Sequence, residues 1–145
     1  MPEKETLDRA EQDKEEGKSP STQAGEFVRE EIHHIREGKH GAASAKQAIA
    51  IGLSKARRAG VDLSPPKKGR VSEKTRKAAE RDIQRAHPGK KKAVSAARSR
   101  SSEAALKREP RSAASHQALS RQAKSAARMR KKAGTKSTQS RSKAA

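Results

Sequence analysis

The residues of this chain best placed to do chemistry are its cations, and the chemistry they suit is phosphate neutralisation. There are 36 Lys and Arg against 17 Asp and Glu, a net charge of +19. The candidate phosphate-binding residues fall in three groups: Arg57 and Arg58; Lys67, Lys68 and Arg70; and the run Arg121, Lys124, Arg128, Arg130, Lys131 and Lys132. Cations set against duplex phosphates release condensed counterions, a contribution that needs cationic density more than a finely shaped site. Phe27 is the single aromatic residue, so nothing in the basic stretches can stack on splayed bases, which argues against sequence-specific single-strand or RNA readout. No helix face carries the Asn, Gln and Arg pattern that reads base edges. The expected partner is duplex DNA held by its backbone with little sequence preference; RNA, or a ribosomal surface, is the alternative that the same charges serve.

Other chemistry is poorly provided for. The chain has no Cys, Tyr or Trp, no strand pattern and no Gly-rich loop between a strand and a helix, so no catalytic residue, cofactor or small-molecule substrate is expected. His33 and His34 are adjacent and point to different sides of a helix; together with His40 their spacing matches no known metal-ligand pattern, so they read as surface histidines and no metal is expected. No apolar run approaches the ~20 residues of a membrane span, and the N-terminus lacks the apolar core of a secretory signal. The expected setting is cytoplasmic.

The elements that must position these groups are helical. Residues 44–61 are the best-specified helix: Ser44 and Gln47 have capping-box spacing, Ala45, Ile49, Gly52, Leu53 and Ala56 share one face, and Gly60 stands where a left-handed residue would end it. A preceding helix starts at Ser19-Pro20, carries Ala24, Val28, Ile32 and Ile35 on one stripe, and ends at Gly38. The short loop 38–42 makes the two antiparallel. Such a hairpin has a thin core, and Phe27 and Ile51 lie off its stripes. They are therefore expected to be exposed and to mediate a homodimer or the docking of a partner protein. Gly52 reads equally as a point of close helix approach and as a tolerated glycine.

The fold class expected is thus all-α: a short antiparallel helical hairpin followed by a basic, largely disordered or nascent-helical tail. The chain divides into an acidic flexible arm (1–18), the hairpin module (19–63), a Pro/Lys hinge (64–71) and a basic Ala/Lys/Arg/Ser-rich tail (72–145). Residues 1–20 hold four basic and seven acidic residues, net −3, and residues 64–145 hold 25 basic and five acidic, net +20. The arm has no obvious face to bury and reads as solvated. Weak helices are expected at 72–87 and within 113–133, with a disordered end over 134–145. Low hydrophobicity with high net charge favours disorder over a packed core.

Two stretches carry a resemblance. Residues 30–41, Glu-Glu-Ile-His-His-Ile-Arg-Glu-Gly-Lys-His-Gly, and 46–60, Lys-Gln-Ala-Ile-Ala-Ile-Gly-Leu-Ser-Lys-Ala-Arg-Arg-Ala-Gly, look like the shared block of a group of small basic bacterial proteins of unknown function, some described only as DNA-binding. Residues 105–110 and 118–123 are similar to their C-terminal parts. The resemblance covers about a third of the chain. It implies a bacterial nucleoid setting and transfers no catalytic residue. A looser similarity to histone-H1-like bacterial proteins with Lys/Ala tails rests on composition. Ser64-Pro65-Pro66-Lys67-Lys68 resembles the Ser-Pro-Lys-Lys element of linker-histone tails with an extra Pro, but the match is weak and a plain proline hinge is the preferred reading.

Overall fold

The hairpin forms where the capping residues place it. In the computed structural model, which describes residues 1–87, 89 and 93–142 with side chains to residue 134, Ser19 Oγ accepts from the Thr22 amide at 3.3 Å and Pro20 occupies the first turn of the second helix. Ser44 Oγ accepts from the Gln47 amide at 3.2 Å; Gln47 answers on the amide of Ala43, one residue further back than a standard capping box. Gly38 and Gly60 both take positive φ (81° and 99°) and end their helices, as expected of C-terminal glycines.

The regular structure of the described residues is all helical, in the order α1 (Lys4–Glu15), α2 (Pro20–Arg36), α3 (Ala45–Arg58), α4 (Glu73–Ala86), α5 (Ala96–Arg108), a 3-10 turn (Arg111–Ala114) and α6 (His116–Ser142). No strand occurs among them; Lys68 and Val71 make an isolated bridge. The expectation of a single hairpin trailing a disordered or nascent tail is therefore corrected. The tail is mostly helix, α6 alone running 27 residues, and part of it completes the core. Of the expected disordered end, 143–145 lie outside the described residues, as do Pro88 and 90–92.

Three additions turn the hairpin into a packed unit. First, α1 lies on α2. The arm does have a face: Thr6, Ala10 and Asp13 recur at i, i+4 and i+7 and are buried. Arg9 pairs with Glu26 across the joint at 2.6 Å, and Lys18 closes the turn onto Asp13 at 2.7 Å. Second, the chain after α3 folds back, putting Val61 and Leu63 beside Phe27, Ala10, Ala24, Ala56 and Leu53. Phe27 is thereby 1% exposed, not an exposed anchor. Third, the 3-10 turn and the start of α6 return to the far end of the hairpin, where Ala113, Ala114 and Leu119 pack with Val28, Ile32, Ile35, Ala42 and Ala48. Ile51 is half-buried and sits one turn before Ser54, whose hydroxyl donates to Asp82 of α4 at 2.6 Å. With Phe27 covered within one chain and Ile51 half-buried, the argument for a homodimer from two exposed anchors loses its Phe27 half.

Small residues make this packing work. Among the described residues, nine of the twelve buried hydrophobic ones are alanine; alanine buries little area but lets helices approach closely, which composition alone reads as a shortage of core. Gly52 is the extreme case: a Cβ there would stand 2.6 Å from Val28 Cα and 2.9 Å from Val28 N. The close-approach reading of Gly52 holds. Among the described residues α5 buries nothing; its Ser95 cap and the Glu103–Lys107 pair at 3.0 Å support it as a solvated helix that carries the chain back to the hairpin.

Candidate nucleic-acid interface

The cations expected to meet phosphate do not form one patch; the structure sorts them. Arg57 is buried, 8% exposed, and its guanidinium donates to the carbonyls of Leu63 and Ser64 at 3.3 and 3.4 Å. Burial lowers its pKa, with Asp82 opposing. Arg57 is a tether that holds the returning segment over Phe27, and it leaves the set of phosphate-contacting candidates. Arg58, its neighbour, is exposed and sits 3.8 Å from Asp82 while donating to the Ser54 carbonyl. Lys67, Lys68 and Arg70 are exposed on a tight turn closed by the Arg70 amide on the Lys67 carbonyl at 3.1 Å, with Gly69 at φ 84°. The Pro pair thus leads into an ordered turn.

The densest group lies on α6. Its 27 residues span ~40 Å, slightly more than one turn of duplex DNA. No acidic residue occurs after Glu109. Arg121, Lys124, Arg128, Lys131 and Lys132 follow the i, i+3, i+7, i+10, i+11 spacing of one helix face, while Arg130 falls opposite. All six are exposed. Arg121, Lys124, Arg128 and Arg130 have no carboxylate partner among the described residues. The packed side of α6, marked by half-buried Ala118, Leu119, Gln122 and Ala126, is turned away from the cationic stripe. The helix is therefore anchored along one face at its start and presents the other to solvent.

One residue absent from the sequence-based set joins this surface. Lys46, in the first turn of α3, lines a groove with Ser44, Ser112, Arg121, Gln122 and Ser125. The groove opens at the N-terminal end of α3, where the helix dipole favours an anion. Nothing in the local sequence of Lys46 signals this; it follows from the return of α6 to the hairpin.

The histidines also separate. His33 is exposed as expected, whereas His34 and His40 are partly buried and converge on Glu31, an arrangement their spacing concealed.

Among known families, the model of one described as "Family of unknown function (DUF6496)" matches residues 14–68. That span takes in the end of α1, the α2–α3 hairpin and the segment folded over Phe27; it stops before α4 and the basic helices. No curated protein and no solved structure matches the chain. No helix among the described residues is long and apolar enough to cross a membrane.

Proposed function

We propose that this protein is a non-enzymatic, largely sequence-independent DNA-binding protein of the nucleoid-associated or histone-like kind. The observation that carries the reading is the α6 stripe: exposed cations on one face of a long helix, with no acidic residue in the helix to neutralise them. Like charges a turn apart disfavour an isolated helix by roughly 0.2–0.5 kcal/mol per pair. A row of phosphates would remove that repulsion and release counterions. The anchored start of α6, with Lys46 and Arg121 flanking the α3 N-terminus, gives the stripe a fixed origin on the packed unit. The candidate set is Lys46, Arg58, Lys67, Lys68, Arg70 and the 121–132 cations. Burial of Phe27 removes the anchor that an adaptor acting through an exposed hairpin would need.

The test is binding of the full chain to a non-specific duplex across a salt series, beside a variant with Arg121, Lys124 and Arg128 replaced by Gln. The expected result is a steep log–log salt dependence that becomes shallower by about 2–3 units in the variant. Absence of binding at moderate salt overturns the reading. Competition with a structured RNA separates a duplex-DNA role from an RNA- or ribosome-associated one.

A further inference from the structure

Glu31 lies in the middle of α2 with its side chain 1% exposed. Lys55 of α3 donates to its Oε1. Its other oxygen, Oε2, is buried and has no hydrogen-bond partner, an expensive state for a carboxylate. Two imidazoles face this carboxylate, and each is fixed by a hydrogen bond on its far nitrogen. His40 Nδ1 lies 2.9 Å from the Gly41 carbonyl; a carbonyl only accepts, so Nδ1 carries the proton and Nε2 is left facing Glu31 Oε2 at 3.2 Å. His34 Nε2 lies 2.9 Å from Glu3 Oε1. The same oxygen accepts from Lys39 Nζ at 3.1 Å, so Glu3 Oε1 is an acceptor and His34 Nε2 the donor. His34 Nδ1 is then left facing Glu31 at 3.7 Å.

Metal ligation takes the neutral imidazole; in that form the near nitrogens of His34 and His40 and the Glu31 carboxylate offer three ligand atoms, all within 4.8 Å of one another. Ligands ~2.1 Å from a tetrahedral ion sit ~3.4 Å apart; here His40 Nε2 lies 3.2 Å from Glu31 Oε2 and His34 Nδ1 lies 3.7 Å from Glu31 Oε1. We propose that Glu31, His34 and His40 form a binding site for a divalent transition-metal ion of the zinc class, through the Glu31 carboxylate, His34 Nδ1 and His40 Nε2. Two nitrogens and one oxygen suit a borderline ion over a hard one such as magnesium. Glu3 behind His34, the Gly41 carbonyl behind His40 and Lys55 behind Glu31 supply the outer layer that orients metal ligands. Glu3, Glu30 and His34 also cluster, but ligation there would use the His34 nitrogen already bonded to Glu3. The ion would tie α2 to the α2–α3 loop, whose Gly41 and Ala42 amides hold the tail at the Leu106 and Pro110 carbonyls. This site is independent of the DNA-binding reading.

The experiment is titration of the metal-stripped full chain with Co²⁺, followed by visible absorption, and with Zn²⁺, followed by calorimetry and by NMR of the histidine side chains. The expected result is one equivalent bound, visible bands of N/O ligation, and Zn²⁺-dependent shifts of His34 and His40 but not of His33, His87 or His116. His34→Ala and His40→Ala should each weaken Zn²⁺ at least tenfold, with His33→Ala unchanged. Absence of the bands, or shifts spread equally over all five histidines of the native chain, overturns the proposal without relying on any variant's folding.

Discussion

Gly41 and Glu109 are in backbone contact across 68 positions of chain: a Cβ at Gly41 would stand 1.9 Å from the Glu109 carbonyl oxygen. The Gly41 amide donates to the Leu106 carbonyl at 2.9 Å and the Ala42 amide to Pro110 at 3.1 Å. Alongside, Arg111 donates to the Arg36 carbonyl at the end of α2, and Arg36 donates to the Ala114 carbonyl at 2.9 Å. Backbone and two arginines thus fasten the tail to the hairpin. Gly41→Ala should release this fastening, lower stability by at least the ~1–3 kcal/mol of overpacking, and speed tryptic cleavage after Arg108 and Arg111, whose side chains are already exposed but whose backbone the fastening holds. A thermal melt with limited proteolysis checks it; an unchanged cleavage pattern would contradict the docking.

Gly52→Ala sets two effects against each other. Helix propensity alone favours alanine by ~1 kcal/mol, whereas the added Cβ meets Val28 backbone at 2.6 Å. Backbone cannot swing aside as a flexible side chain can, so the steric term should win and the variant should be less stable by chemical denaturation. A stabilised variant would show that the helices separate freely at this point.

Phe27→Ala should cost about 3–5 kcal/mol, a large share of the 5–15 kcal/mol typical of a folded domain. Because Phe27 is covered within its own chain, the loss should appear as unfolding by circular dichroism, with no concentration-dependent dissociation in sedimentation.

Arg57 and Arg121 should behave as opposites. Arg57→Gln removes the guanidinium that holds Leu63 and Ser64, lowering the melting temperature while leaving the salt slope of DNA binding unchanged. Arg121→Gln should leave the melting temperature alone and make the slope shallower by about 0.9. Parallel melts and salt titrations distinguish them.

Glu16 sits at the end of α1 beside Lys18, 2.7 Å away, and hydrogen bonds from Lys18 and Gln12 lower its pKa. A carboxylate with a depressed folded pKa contributes stability above its unfolded value and loses it as pH falls through the folded one. Lys18→Gln should therefore raise the Glu16 pKa toward the ordinary carboxylate value, read by a carboxyl NMR titration, and shrink the acid-side loss of stability at the α1–α2 turn.

What the sequence determined by itself was local. Ser19 and Ser44 cap the helices they precede, Gly38 and Gly60 end theirs, and the stripe Ala24, Val28, Ile32, Ile35 marks the face that α2 turns inward, because these are effects of one turn of helix on itself. Tertiary structure decided the rest. The buried face of α1 is threonine, alanine and aspartate, and the segment that caps the second cluster of the core contributes Ala113 and Ala114; neither carries a hydrophobic period strong enough to read. Phe27 looks exposed on a helical wheel until α1 and the returning chain supply its neighbours. Arg57 and Arg121 are the same residue type in similarly basic surroundings, and only the fold makes one a buried tether and the other part of an exposed stripe. His34 and His40 meet at Glu31 because the loop between two helices folds back. Sequence spacing cannot report that convergence, since the distance between two side chains across a turn is set by the packing of the helices it joins.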